Sequence, residues 1–219
     1  MALFHDRRSA GEQLAQMLRT RHFENPVVLA IARGGLPVAV PIAHALNAPL
    51  DLLLVRKIGV PWQPELAAAA IIDGIDGEVP QLTLDEEVIR DCHIDSNYIQ
   101  AEAKRELAEI ERRRRTYLGE QPSVPVSGRC AIVVDDGLAT GTTMRAALRA
   151  VRRRHPARLV MAVPVAARDS LAALSGEADE VVCLAQPEPF DAVGLHYAVF
   201  NQVSDAEVVA LLEQMRPVS

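Results

Sequence analysis

Two adjacent carboxylates, Asp135 and Asp136, stand between an apolar run and a loop of small hydroxyl residues, Thr140, Gly141, Thr142 and Thr143. The run, residues 130–134, is rich in β-branched side chains and reads as a short buried strand. A helical pattern follows the loop, so the stretch is half of a βαβ unit. The first backbone N–H groups of such a helix are unpaired and lie at the positive end of its dipole. Gly141 lets the main chain approach an anion closely, and the threonines add hydroxyl donors. Phosphate is the natural guest of that loop, but the carboxylates would repel it. They need hydroxyls or a cation a few ångströms away. A sugar phosphate carries an anion at one end and a diol beside it, and satisfies both halves.

Other anion-binding motifs fit less well. A Walker A loop needs a lysine next to its last glycine, and Gly141 is followed by Thr142. A dinucleotide fingerprint needs GxGxxG directly after the strand, where Asp135 and Asp136 stand. The plainest reading, an acid-capped strand end followed by a threonine N-cap, accounts for one threonine but not for the acid pair.

The run VVDDGLATGTT, residues 133–143, resembles the 5-phosphoribosyl 1-diphosphate (PRPP) motif of the type I phosphoribosyltransferases across eleven consecutive positions. The resemblance implies that Asp135 and Asp136 hold the ribose 2′ and 3′ hydroxyls. It also implies that Gly137, Leu138, Ala139, Thr140, Gly141, Thr142 and Thr143 form the cradle of the 5′-phosphate. Ala139 departs from the enzymes acting on hypoxanthine and guanine, which carry an acid there, and agrees with adenine and uracil enzymes. The 6-oxopurine reading is weakened, and no other residue names the acceptor.

A second anion corner lies upstream. Residues 27–32 read as a buried strand that runs into Arg33-Gly34-Gly35, with a helix from about 37 to 46. Taken alone, this is also an ordinary glycine turn. The family resemblance implies that Arg33, Gly34 and Gly35 contact the diphosphate of PRPP, with a non-proline cis peptide expected at Arg33–Gly34. Residues 50–55 read as the next strand, ending in Arg56-Lys57. Lys57 and Lys104 are the lysines of a chain with 23 basic side chains, and a compact ammonium suits a departing diphosphate. VRKIGVP resembles the segment before the catalytic loop of adenine phosphoribosyltransferases, though Lys57 also reads as a solvated cation at a strand end. Trp62 reads as a cover for the site or a plug in the core, and Phe190 as a base-stacking ring or a packing ring.

The elements that must position these residues alternate strand and helix, so an α/β fold is expected: an open, mostly parallel sheet flanked by helices. Residues 1–72 and 120–219 read as the core, and 73–119 as a hairpin and helical insertion serving as hood or dimer arm. Residues 65–72, at the end of the first core segment, and 79–84 read as hairpin strands around a turn at 73–78, followed by helices at 85–92 and 95–118. Ser9 and Glu12 read as a capping box opening the first helix, and Ser204 and Glu207 as one opening the last. Further helices are read at 142–154 and 168–175, and strands at 159–165, 180–184 and, as an edge, 195–203.

At 219 residues and 49% hydrophobic the chain can bury a sizeable core. A net charge of −6 argues against broad nucleic-acid binding, so the runs 112–115 and 152–154 read as solvated helix faces. No stretch is long and apolar enough for a membrane span, and no secretory leader is read at the N-terminus. Cys92, Cys130 and Cys183 are far apart and odd in number, which fits a reducing cytoplasm. The resemblance implies transfer of ribose 5-phosphate from PRPP to a nucleobase-like acceptor. Asp135, Asp136, Lys57 and Arg33 are the expected catalytic residues, Mg²⁺ would be bound mainly through PRPP rather than by the chain, and a homodimer is expected. The alternative is a PRPP-sensing regulator of the same fold that has lost catalysis.

Overall fold

The computed structural model describes residues 2–73, 79–119 and 121–215. Its centre is a five-stranded, all-parallel sheet in the order β2-β1-β6-β7-β8, formed by β1 (Pro26–Ile31), β2 (Leu50–Leu53), β6 (Cys130–Val134), β7 (Arg158–Val165) and β8 (Glu180–Ala185). The strands are near-continuous apolar runs because both faces are covered. Alternate residues sort by face. Val28, Ala30, Ile132 and Val134 pack with α1 (Arg7–Arg19), α2 (Gly35–Leu46) and α7 (Asp205–Gln214). Val27, Leu29, Ile31, Ala131 and Val133 pack with α5 (Thr142–Arg152) and with Leu174 of α6 (Arg168–Leu174).

A second, antiparallel sheet has the order β3-β4-β5, from β3 (Val55–Val60), β4 (Gln63–Ile72) and β5 (Gln81–Leu84). It runs across position 73 and carries α3 (Glu86–Asp91) and the long α4 (Ser96–Tyr117), which packs on β3, β4 and α7. The expected turn at 73–78 falls at 74–78, outside the described residues. Asp51, buried in β2, accepts from the Val124 N–H at 2.8 Å and so fastens the segment that returns to β6.

Several expectations shift. The strand read at 50–55 ends at Leu53, and Arg56 and Lys57 lie inside β3. Both strands are buried and apolar there, so periodicity cannot register the crossing from one sheet to the other. The first helix opens at Arg7, because Asp6 caps it: its carboxylate accepts from the Ser9 N–H at 2.7 Å while the Ser9 hydroxyl accepts from the Asp6 N–H at 3.0 Å. The last helix is capped by Ser204 as expected. The edge strand read at 195–203 is a 3₁₀ turn, Val193–His196, and an extended segment. Among the described residues its main-chain partner is the N-terminal stretch around Phe4 and His5, too short for a ladder.

Candidate functional site

β1 and β6 are neighbours, yet α2 leads from β1 to one side of the sheet and α5 leads from β6 to the other. Ligands of such sheets sit where the winding reverses, outside the carboxyl ends of the strands. Asp135 and Asp136 follow β6 at this point, and Arg33 and Gly34 follow β1 beside them. Two cavities open there. One of about 440 Å³ is lined by the acid pair, Arg33, Gly34, Lys57 and Thr143. The other, about 160 Å³, is lined by residues 137–144, and Lys57, Asp135 and Thr143 border both.

The small cavity is made of main chain. Gly141 is the N-cap of α5 with φ +80°, a left-handed conformation that a side chain would strain, and it supplies no side-chain cap. The threonine N-cap considered from the sequence is therefore replaced by a glycine, and the helix start faces the cavity. The loop is held by Leu138, whose N–H donates to the Val165 carbonyl at 2.9 Å and whose own carbonyl accepts from Ala167 at 2.8 Å. The Ser170 hydroxyl donates to the Ala139 carbonyl.

The glycines of the other corner are required by closeness. A Cβ on Gly34 would stand 2.8 Å from the Asp136 carboxyl carbon, and one on Gly35 would stand 2.6 Å from the Val134 carbonyl oxygen. The non-proline cis peptide lies at Ala32–Arg33, one bond before the position expected. Gly34 already has helical backbone angles as the N-cap of α2, and the Arg33 carbonyl accepts from the Leu36 N–H at 3.2 Å.

The acids point into the large cavity rather than into the core. Burial pushes Asp135 well above the usual carboxylate range, and the Asp136 charge adds to this against the pull of Arg7 and Lys57. Burial also raises Asp136, opposed by Arg7, whose Nε donates to Oδ2 at 2.7 Å. Asp135 Oδ1 accepts from the Asp136 N–H at 2.9 Å.

Five cations line the large cavity: Arg7, Arg33, Arg56, Lys57 and Arg113. Each arginine is held by a carboxylate. Arg7 is on Asp136, Arg33 on Asp205 at 3.3 Å, Arg56 on Glu106 at 2.5 Å and Arg113 on Glu109 at 2.6 Å. Lys57 is exposed and has no ion pair among the described residues. Asp205 also accepts from the Tyr117 hydroxyl at 2.5 Å and from Arg112 at 3.1 Å, so α4, α7 and Arg33 meet on one carboxylate.

A family model described as a phosphoribosyl transferase domain matches residues 6–198. The chain belongs to the phosphoribosyl transferase family. Curated proteins from two strains of Mycobacterium tuberculosis, both named "putative phosphoribosyl transferase", are 46% identical over 214 residues. That match covers 98% of this chain and 47% of theirs, so the chain spans about half the length of these relatives. The crystal structure of a Thermus thermophilus protein superposes with a TM-score of 0.78 at 41% identity, covering 99% of this chain and 100% of that one. A hypothetical protein from Neisseria gonorrhoeae, crystallised with bound ppGpp, shares the fold at 12% identity and a TM-score of 0.51, with 99% and 98% covered. The α/β architecture expected from the phosphoribosyltransferase resemblance is the architecture found.

For this member of the family, the structure brings Asp135, Asp136, Arg33, Gly34, Lys57 and Thr143 to the large cavity, and Gly137, Leu138, Ala139, Thr140, Gly141 and Thr142 to the adjoining small one. Gly35 lies just behind, packed on Val134. Trp62 is 68% exposed at the tip of the β3–β4 hairpin and plugs no core, and it lines neither cavity. Phe190 packs against the cluster of Phe4, Val165 and Tyr197, with its ring 4.9 Å from His196. The run 112–115 is not simply a solvated face: Arg113 has a side-chain exposure of 12% and lines the cavity, and Arg114 pairs with Asp73. In the other run, Arg152 pairs with Asp179 while Arg154 is buried. Sequence reading missed Arg7, Arg56, Arg113 and Asp205 as site residues. Only Arg56 had a local signal, its place beside Lys57 in VRKIGVP. No helix of the described residues is long and apolar enough to cross a membrane.

Proposed function

We propose that the chain transfers the ribose 5-phosphate of PRPP to a nitrogen of a base-like acceptor, releasing diphosphate. The observation that carries this reading is the sorting of charge in one continuous space. A helix-start loop lines the small cavity, Asp135 borders both cavities with Asp136 beside it in the large one, and five cations line the large cavity. The 5′-phosphate would sit on residues 140–143, the ribose diol on Asp135 and Asp136, and the diphosphate toward Arg33, Gly34 and Lys57.

The acceptor nitrogen would attack C1 as the bond from C1 to the diphosphate oxygen breaks, and positive charge would develop on the ribose ring. Asp135 and Asp136 favour that charge and hold the ring in line, so the protein supplies position and electrostatics rather than a covalent intermediate. Lys57, not committed to an ion pair among the described residues, can follow the charge accumulating on the leaving group. Mg²⁺ would travel on PRPP oxygens and water, in keeping with its preference for oxygen ligands and its reluctance to lose water. When bound it would neutralise leaving-group charge.

Titration of PRPP with Mg²⁺ by calorimetry tests the site. Wild type should bind, and Asp135→Asn/Asp136→Asn should bind far more weakly; equal affinity would remove the ribose assignment. A panel of nucleobases with PRPP, read as diphosphate release, tests the chemistry. Binding without release for every base would assign the site to PRPP sensing instead.

A further inference from the structure

We infer that Arg7 is a positioning residue for the sugar-binding carboxylate: it aims Asp136 at the ribose, an inference that rests on the PRPP reading above. Arg7 is the first residue of α1, more than a hundred residues from the acid pair in sequence, and its side chain is 12% exposed. Three contacts fix its guanidinium. Nε donates to Asp136 Oδ2 at 2.7 Å, Nη1 donates to the Asn201 carbonyl at 2.7 Å, and the group lies 3.7 Å from the Phe200 ring centroid. Phe200 in turn stacks on Tyr197 with centroids 5.0 Å apart, and the Tyr197 hydroxyl donates to the Asp136 carbonyl oxygen at 2.5 Å.

These contacts close a circuit from the Asp136 side chain through Arg7, Phe200 and Tyr197 to the Asp136 main chain. Such a circuit takes away the freedom of the carboxylate to turn, because both the backbone and one oxygen are tied. One oxygen is occupied by Arg7. Oδ1 accepts from no other residue among those described, and the residue lines the large cavity. A ribose hydroxyl would therefore meet a fixed carboxylate with one oxygen open to it. The charge of Arg7 also works against the burial that disfavours the carboxylate form of Asp136. The N-terminal helix and the segment 197–201, which no motif touches, are joined to the sugar grip in this way.

Arg7 also lines the cavity, so a direct grip on the substrate is the competing role; a double-mutant cycle separates the two. Full-length Arg7→Gln, Asp136→Asn, the double variant and Arg7→Lys are titrated with PRPP and Mg²⁺. Arg7→Gln should weaken binding about 10-fold, the worth of one charge-assisted hydrogen bond. Arg7→Lys should recover part of that loss. On the Asp136→Asn background, Arg7→Gln should weaken binding no further. Equal losses on both backgrounds would show Arg7 contacting PRPP directly and overturn the inference, as would wild-type affinity in Arg7→Gln. A wild type that does not bind PRPP would instead take down the functional reading, and the inference with it. Should Arg7→Gln fail to fold by thermal melting, Phe200→Leu carries the same test through the stack, with about a 3-fold loss on the wild-type background and none on Asp136→Asn.

Discussion

The parallel-sheet wall of the cavity and the wall facing it are built by different means. The first uses strand ends, a left-handed glycine and helix-start N–H groups, all from two short stretches, 32–35 and 133–143. Its geometry is inherited from backbone hydrogen bonds and needs little side-chain order. The second uses arginines from β3 and α4 and a lysine from β3, and the arginines are placed by carboxylates of α4. Long cationic side chains lose much rotamer freedom when fixed, and a partner carboxylate supplies the force that orders them. The comparison teaches that one wall is set by local conformation and the other by a network, so they should fail differently when mutated.

The largest effect is expected from the group outside that network. Lys57→Ala should lower kcat/KM by about 100-fold, the size typical of losing one group that stabilises transition-state charge, while leaving the melting temperature unchanged. An effect confined to KM would place Lys57 in ground-state binding only. On the backbone-built wall, Gly34→Ala pushes a methyl against Asp136, and overpacking of about 2 kcal/mol corresponds to a PRPP affinity lower by roughly 30-fold. Calorimetry showing normal affinity would mean that the carboxylate has room to yield.

Smaller effects test the network. Asp205 is held below the usual carboxylate range, first by the Tyr117 hydroxyl and then by Arg112 and Arg33. Its contribution to stability is therefore present above the unfolded pKa of 3.8 and lost as pH falls through the lower folded value. Asp205→Asn should cost about 1 kcal/mol at neutral pH and less in acid, with PRPP affinity changing by no more than about 3-fold, RT ln 3 being small beside one hydrogen bond. Asp135 has the opposite sign. Its folded pKa is raised, so the stability linked to it is full below 3.8 and is lost as pH rises through the folded value. Asp135→Asn should thus gain about 1 kcal/mol at neutral pH and converge with wild type on acidification, which urea unfolding at several pH values would measure. Trp62→Ala, at the exposed hairpin tip, should change stability by less than about 0.5 kcal/mol.

Much of the first wall was legible in the chain. Buried strands announce themselves as β-branched runs, and the acid pair, Gly141 and the threonines are consecutive, so their chemistry could be read without knowing what lies across from them. The parallel sheet followed from strand–helix alternation. Less was legible where two explanations share one pattern. Residues 50–55 read as one strand, but the change of sheet at Leu54 leaves no mark in hydropathy. Phe200 and Tyr197 looked like an edge strand because aromatic residues favour strands, whereas here they build the stack beneath Arg7.

By itself the sequence determined the glycine–threonine loop, the acids ahead of it, the Arg-Gly-Gly corner and the α/β class, because each is encoded by neighbours within about a dozen residues. Only the tertiary structure decided that Arg7, Arg56 and Arg113 line the same cavity and that Asp205 holds Arg33 there. An ion pair depends on distance in space, and the separation of Arg7 from Asp136, or of Arg33 from Asp205, along the chain carries no trace of it. The fold supplies that distance by closing α1, α4 and α7 around the ends of β1 and β6.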